Sequence, residues 1–583
     1  MSEDERVKAF ITLSEKIKQY IDLAEDDDQT SILLKEITDT ANTFFKNRYC
    51  LKCNKEFDDL IEHIAKAHVV YLRNIDNTNA LFNVLSNLDP LVKSDVTQLV
   101  LAVLSEGKTF TNSQESYIMI NNQLLVIERD NNDLRANIIR LAASTLNRIF
   151  SPNTINNVID ILKALVQHFS KHIVTSVRCH FVDNTLYYDT RDELYSIVKI
   201  DKNGVAIVQQ TEPCLPYYRS GKASLRKDEK AWDRLLDNLN VVLKDLDDNT
   251  LSKYDTKMII KVLTTTLFFN SVPKPIFCII GKEGSGKTTL ANIIKKIIDP
   301  ENENTLENET ISLIRDMKDF KSIARSNYCL VFDNVSRIDK DTSDLLCRAS
   351  TGGKLIHRAL YTDTQQSAIS IMRAIIITAR QVPSYESDFL DRVIVVKCDR
   401  IDKKDIRLVS ELNDVVNLFA AVRYECFVTI SKALEIYNQV KEELRVRGLL
   451  ARLADFIVLA EAVARSYGYT PLEFTQKFNE MNRVLKEEKI EDDEVLQAVV
   501  TLIEEDGAFE GSAQDLAELL LTRTNLVIKP NSLSRKLSDN AVVLQEHGVI
   551  FTRKRVGRNG KRILSLKHVE HITSNMTDNN GHN

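Results

Sequence analysis

The chain has 583 residues, room for three to five domains at roughly 100–200 residues each. With 43% hydrophobic and 27% charged residues and a formal net charge of −6, it is neither a disordered chain nor a uniformly basic nucleic-acid coat, so any polyanion contact has to be local. Apolar runs fall short of the roughly 20 residues of a membrane helix, "MSEDERVKAF" lacks a secretory pattern, and nine cysteines make no disulfide scaffold; the expected setting is the reducing cytoplasm, away from membranes.

Residues 1–46 read as a helical, acidic region around "AEDDDQ". Residues 47–70 hold "YCLKCNKEFDDLIEHIAKAH", a C-x2-C-x9-H-x4-H pattern of Cys50, Cys53, His63 and His68. It resembles a two-Cys, two-His zinc finger with a middle spacing shorter than the usual ~12. Two thiolates from a turn and two imidazoles from a helix would close a tetrahedral Zn²⁺ site and leave no open position for catalysis. The helix carries Asp58, Asp59 and Glu62 against Lys66, a poor face for phosphate, so a structural role or a protein partner is expected of the finger. Residues 71–175 read mainly as helix, with a short hairpin near "YIMINNQLLVIERD". Residues 176–210 switch to strand-length runs broken by Asp, Asn and Gly, a small antiparallel β segment. Residues 211–250 form a polar connector, 251–400 alternate helix and strand as an α/β domain does, and 401–490 return to helix. Residues 491–568 form a small terminal module, and the tail 569–583 is expected to be disordered.

Within 251–400, "IFCIIGKEGSGKTTLANIIKKII" matches G-x-x-x-x-G-K-[ST] at Gly281, Gly286, Lys287 and Thr288, with Gly284, Ser285 and Thr289 completing the loop. A five-residue apolar run precedes it, and Leu290, Ile293, Ile294, Ile297 and Ile298 follow at the spacing of one helix face. Such a loop wraps phosphates with its N–H groups; Lys287 would reach the β- and γ-phosphates of ATP, and Thr288 would sit on Mg²⁺. A second apolar run, "CLVF", ends in Asp333, where a strand delivers a carboxylate to the Mg²⁺ shell. Asn334 follows, where many such enzymes keep a catalytic acid; its amide would orient the attacking water instead. "AIIITA" and "RVIVV" read as further buried strands that bring Thr378 and Arg392, each either a functional polar group or a structural one. Between them and Asp333, "ASTGGKLIHRALYTDTQQ" reads as a hairpin whose Lys354, Arg358 and Tyr361 would touch a phosphate backbone and stack on a base; the plainer reading is a solvated hairpin.

The order of loop, Asp333 strand, "TGG" hairpin, Thr378 strand and arginine after "FLD" resembles superfamily 3 helicases and the helicase halves of primase-helicases from viruses, phages and plasmids. The similarity is nearest to phage-type ATPases, on "FDNVSRIDKDTSDLLCRASTGGKLIHRALYTD", and covers roughly residues 135–570. The resemblance implies an AAA+ core in a homo-oligomeric ring, ATP with Mg²⁺, work on DNA during replication of a mobile element, a γ-phosphate sensor at Thr378, and an arginine, Arg392, that reaches a neighbouring subunit's nucleotide. Lys354 replaces a glycine of the phage pattern, and Thr378 stands where relatives often have Asn.

The last 90 residues look like a winged helix: helical segments, with Arg535 and Lys536 in "NSLSRKLSDN", then a hairpin bearing Arg553, Lys554, Arg555, Arg558, Lys561 and Arg562. Residues 549–568 contain no acid, an electrostatic footprint for DNA phosphates. The expected whole is a multidomain chain, mostly α, with a central α/β P-loop (AAA+) domain, a small β segment, an N-terminal zinc finger and a C-terminal winged helix. Its expected work is ATP-dependent DNA unwinding or translocation for a mobile element. A DNA-bound ATP switch (a loader, origin binder or regulator) and a zinc-finger adaptor are the alternatives.

Overall fold

The computed structural model describes residues 49–50, 55–56, 95–112, 115–192, 194–210, 214–216, 221–239, 241–246, 249–358, 366–401, 413–450, 452–556 and 561–568. Over these residues the chain is a mixed α/β protein, about half helical, with several separate sheets. It divides into two units: residues 1–200, 205–224 and 355–369 in the first, and 201–204, 225–354 and 370–583 in the second.

Among the described residues, the first unit opens on two paired two-residue strands, β1 (Tyr49–Cys50) and β2 (Lys55–Glu56). Helix α1 (Asp95–Glu106) then precedes β3 (Lys108–Thr111), β4 (Ser116–Ile120) and β5 (Gln123–Val126). The β4–β5 turn is Asn121–Asn122, both at positive φ (51° and 64°), the two-residue geometry whose twist matches a hairpin. Helix α2 (Asn132–Thr145) begins where Asn131 accepts the N–H groups of Asp133 and Leu134, and buries Leu134, Ile138, Leu141 and Ala142 on one face. Helix α3 (Pro152–Phe169) has Ser151 as its cap and Pro152 in its first turn. With β6 (Lys171–His172) the strands form a sheet of order β5-β4-β3-β6. A second sheet, of order β10-β9-β8-β7, takes β7 (Cys179–Val182), β8 (Thr185–Asp189), β9 (Ser196–Asp201) and β10 (Gly204–Gln209). Its first turn, Asp183–Asn184, is again two short polar residues at positive φ.

The second unit is built on a five-stranded sheet of order β11-β17-β12-β16-β13. Its strands are β11 (Leu243–Lys244), β12 (Ile276–Gly281), β13 (Cys329–Val335), β16 (Ala374–Ala379) and β17 (Val393–Cys398). Strand β12 runs parallel to β16 and β17, β16 parallel to β13, and β11 antiparallel at the edge. Every residue of β12 and β16 is buried, as strands covered on both faces require, which is why they read as unbroken apolar runs. Helices α4 (Ala231–Leu239), α5 (Lys253–Thr266), α6 (Lys287–Ile298), α7 (Met317–Ser326) and α8 (Lys340–Thr351) follow in chain order. Strands β14 (Lys354–Arg358) and β15 (Gln366–Ser370) form their own two-stranded sheet, whose residues 355–369 count with the first unit; in the second unit the one-turn helix α9 (Ser387–Leu390) lies before β17.

Beyond the sheet come α10 (Asn413–Val416), the 28-residue α11 (Phe419–Val446), α12 (Ala454–Ser466) and α13 (Glu473–Asp492). Arg423 of α11 is fully buried and closes the far end of α6: Nε donates to Ile297 O (2.8 Å), Nη2 to Lys296 O (2.8 Å) and Nη1 to Glu303 (3.0 Å). The guanidinium satisfies C-terminal carbonyls that the helix cannot bond internally.

The C-terminal module holds α14 (Glu494–Asp506), β18 (Ala508–Gly511), α15 (Ala513–Thr524), α16 (Pro530–Asp539), α17 (Ala541–Glu546), β19 (Val549–Val556) and β20 (Lys561–His568). Leu496, Val499, Ile503, Leu516, Leu533 and Leu566 are among the residues of its shared core, under an antiparallel sheet of order β18-β20-β19. Ser512 and Asp515 form a reciprocal capping box at the start of α15.

Candidate functional site

The loop from β12 to α6 cannot be built with ordinary side chains at its ends. Gly281 sits at φ 156°, and a Cβ there would lie 2.6 Å from Cys398 O and 2.7 Å from Ser285 Oγ. Gly286, at φ 76°, starts α6 in the left-handed region, and no side chain caps that helix. Its first-turn N–H groups are therefore open to an anion, with the helix dipole behind them. Ser285 Oγ is buried inside the loop without a hydrogen-bond partner. Lys287 Nζ lies across the loop, 3.4 Å from Lys282 O. Gly284 and Thr289 are exposed.

Asp333 ends the β13 run beside this loop. Its Oδ1 accepts the Thr288 hydroxyl (2.8 Å) and the Thr378 hydroxyl. Thr378 is itself fully buried on β16 and also accepts the Asn334 N–H at 2.9 Å. The first turn of α6 and the end of β16 thus converge on one carboxylate oxygen of β13. Asn334 stands at φ 52°, where β13 shifts register between Phe332 and Val335, and its side chain is exposed. Asn tolerates this left-handed conformation far better than most residues.

Two cavities flank the constellation. One of about 540 Å³ lies on the β17 side, with Leu236, Val241, Val242, Leu251 and Ile401 among its apolar walls, and Ile401 N–H bonds Gly284 O in the loop (3.2 Å). The other, about 400 Å³, lies beside Asp333 and Asn334 and is lined in part by Arg315 and Arg337. Arg380, two residues past Thr378, places Nη2 3.6 Å from Glu283 Oε1 in the loop. Sequence reasoning misses Arg380, Arg315 and Arg337; the only linear signal is that Arg380 follows the Thr378 strand directly.

Arg392 lies one residue before β17 and is paired within its own turn. Its Nη1 donates to Asp388 O (2.9 Å) and contacts the Asp388 carboxylate, which also meets Arg452 (2.8 Å); Arg452 reaches Asp391 as well. Burial works to raise the Asp388 pKa, but Arg392 and Arg452 outweigh it and hold the carboxyl below its ordinary value. Ser387, beside them, receives Lys489 Nζ (2.8 Å) and donates to Asp539 O (2.9 Å), tying α9 to α13 and to the end of α16.

Of the expected DNA contacts, Lys354 and Arg358 lie in β14, whose backbone alone is described, and Tyr361 lies outside the described residues. Arg535 is exposed on α16, whereas Lys536 is ion-paired to Asp493 (2.7 Å). Arg553, Lys554 and Arg555 are exposed on β19; Arg553 also donates to Ser534 O. The β19–β20 register sets Arg555 opposite Arg562 and Val556 opposite Lys561, and Arg558 lies outside the described residues. Of the expected zinc ligands, Cys50 ends β1 and stands opposite Lys55 of β2, while Cys53, His63 and His68 lie outside the described residues. Among the described residues, no group of three or more His, Cys, Asp or Glu is placed to hold a metal, and no helix is long and apolar enough to cross a membrane. Burial pushes the thiols of Cys278, Cys329 and Cys398 up to about 12, which removes them from nucleophilic chemistry.

The chain thus carries a glycine-shaped turn at a parallel strand end, a helix start facing it, and a carboxylate held by two hydroxyls. Residues 252–446 match the family model described as an actinomycete integrative conjugative element replication protein, and residues 495–578 match the AICE RepA C-terminal domain. Over these two segments the chain is similar to replication proteins of a mobile element. No curated protein matches it. Among solved structures, the A-form apo structure of the NrS-1 C-terminal region aligns over 82% of this chain and 100% of its own, at 11% identity and a TM-score of 0.34. A structure of JCV helicase bound to a small acetamide compound aligns over 40% of this chain and 64% of its own, at 14% identity and a TM-score of 0.23. Scores this low carry no argument beyond the likeness.

Proposed function

We propose that the chain is an ATP-dependent DNA helicase or translocase serving replication of a mobile genetic element. The observation that carries this reading is the convergence of the Thr288 and Thr378 hydroxyls on Asp333, next to a loop that needs glycine at both ends. The open N–H groups of Gly284–Thr289 and the start of α6 suit phosphates, and Lys287 is the loop cation able to swing onto them. Thr288 and Asp333 would hold Mg²⁺, whose charge offsets that of the phosphates when it is bound. Thr378 keeps Asp333 and the Asn334 backbone in place, so this polar side chain positions the metal carboxylate. The cavity against Ile401, with an apolar wall of Leu236, Val241, Val242 and Leu251 and charged residues in the rest of its lining, suits the base of ATP. Arg392 would act on a neighbouring subunit's nucleotide in a homo-oligomeric ring. The C-terminal module, read as a winged helix, and the β14–β15 hairpin would hold DNA. The finger of Cys50, Cys53, His63 and His68 would bind Zn²⁺ and serve a structural or partner-binding role.

A second reading, a DNA-bound ATP switch that does not unwind, is favoured by one observation: Arg392 is engaged by Asp388 within its own chain. Phosphate release by the purified protein, with Mg²⁺ and with or without single- and double-stranded DNA, is measured beside strand displacement. The first reading expects DNA-stimulated release and displacement. Release without displacement supports the switch, and no release above a Lys287→Ala background removes hydrolysis altogether.

A further inference from the structure

We infer that Arg380 is a second cation on the terminal phosphate of the bound nucleotide, with Glu283 as its exchangeable counter-ion. The inference rests on the nucleotide reading above and extends it to a residue outside the loop-and-Asp333 constellation. The sheet order supplies the direction. Strand β12, which leads into the phosphate loop, has β17 on one side and β16 on the other. The larger cavity lies on the β17 side, where Val242, Asp399 and Ile401 line it and Ile401 bonds the loop. A nucleotide with its base there and its phosphates on the loop runs across the strand ends toward β16. Ligands of parallel sheets lie at these carboxyl ends.

Arg380 leaves β16 at that end. Ala379 is in register with Ile280 of β12 on one side and with Val335 of β13 on the other. Arg380 therefore emerges between the loop and the Asp333 strand, on the flank that the last phosphate would reach. Its guanidinium meets Glu283 of the loop at 3.6 Å, with both side chains largely exposed (71% and 85%). An exposed pair of this kind contributes little, so exchanging the carboxylate for a phosphate costs little. A guanidinium also matches phosphate geometry better than it matches a distant single carboxylate oxygen. Arg392, by contrast, is held by Asp388. Glu283 would repel phosphate if left unpaired, so the pair also masks an acid inside an anion site.

The test is equilibrium binding of Mg²⁺-ADP and of a non-hydrolysable Mg²⁺-ATP analogue to the full chain and to Arg380→Ala, Arg380→Lys and Glu283→Gln. Arg380 is exposed, and circular dichroism checks that the variants fold. Arg380→Ala should lose about tenfold or more in affinity for the triphosphate, the size of a lost hydrogen bond to a charged group, with ADP affinity changed less than about twofold. Arg380→Lys should recover part of the loss, and Glu283→Gln should tighten the triphosphate more than ADP. An unchanged triphosphate-to-diphosphate ratio in Arg380→Ala, with the parent binding both, overturns the Arg380 assignment alone. A parent that binds neither nucleotide overturns the nucleotide reading, and this inference with it.

Discussion

Asn334 stands at φ 52°, and that angle changes what a substitution there reports. A water-orienting role lives in the amide; a conformational role lives in the backbone, because the left-handed turn presents the Asn334 N–H to Thr378 (2.9 Å). Alanine loses both, while glycine loses only the amide. Left-handed backbone costs an ordinary L-residue roughly 1–2 kcal/mol, so if conformation dominates, Asn334→Gly should turn ATP over about tenfold faster than Asn334→Ala. Equal loss in both variants would return the role to the amide. Asp333→Ala should abolish turnover while leaving some nucleotide binding, since it removes the acceptor of both hydroxyls but none of the loop N–H groups. Lys287→Ala should reduce both binding and turnover, as read by nucleotide titration and phosphate release. Gly281, Lys287, Thr288 and Asp333 were legible because each lies inside a contiguous run whose spacing signals strand, turn and helix. The φ of Asn334 and the Arg380–Glu283 pair were not. Both arise from sheet register, which joins segments far apart in the chain.

At the scale of elements, the short polar turns were readable in kind, since Asn121–Asn122 and Asp183–Asn184 act within a few residues, whereas the Ser512 cap of α15 was not read. The sheet of β3 to β6 was not, beyond its hairpin, because β3 pairs with β6 across two intervening helices. The α9 turn shows an element governed by distant charge. Asp388 has a lowered pKa in the fold, so its contribution is present above the ordinary aspartate range, near 4, and is lost as pH falls through the folded value. The protection of amides in residues 387–392, relative to intrinsic exchange at each pH, should therefore fall on acidification below about pH 4, and Arg452→Met should move that onset upward. The β19–β20 hairpin makes the other element-scale prediction. Replacing Arg553, Lys554, Arg555 and Arg558 together should weaken DNA binding and flatten its salt dependence, by about 0.9 in slope for each phosphate no longer neutralised. An unchanged slope would mean that DNA is held elsewhere.

For the whole molecule, two sets of thiols stand apart chemically. Cys278, Cys329 and Cys398 are pushed up to about 12 by burial, and Cys347 and Cys426 up to about 11. Cys50 and Cys53 belong to the proposed finger. Native protein should carry one zinc by metal analysis, and a chelator should add two fast-alkylating thiols by mass spectrometry while the six buried ones, Cys179 included, stay protected. Cys53→Ser should lose the metal without altering nucleotide binding. Protein that copurifies with no zinc under reducing conditions would remove the finger. The Arg423 guanidinium sets a last condition on how such a chain moves. It grips the far end of α6, whose near end is the phosphate loop, and it belongs to the 28-residue α11. A rod clamped at its tail cannot slide along its own axis. Any stroke begun at the loop must swing α6 and α11 together as one arm, which places the pivot outside both helices.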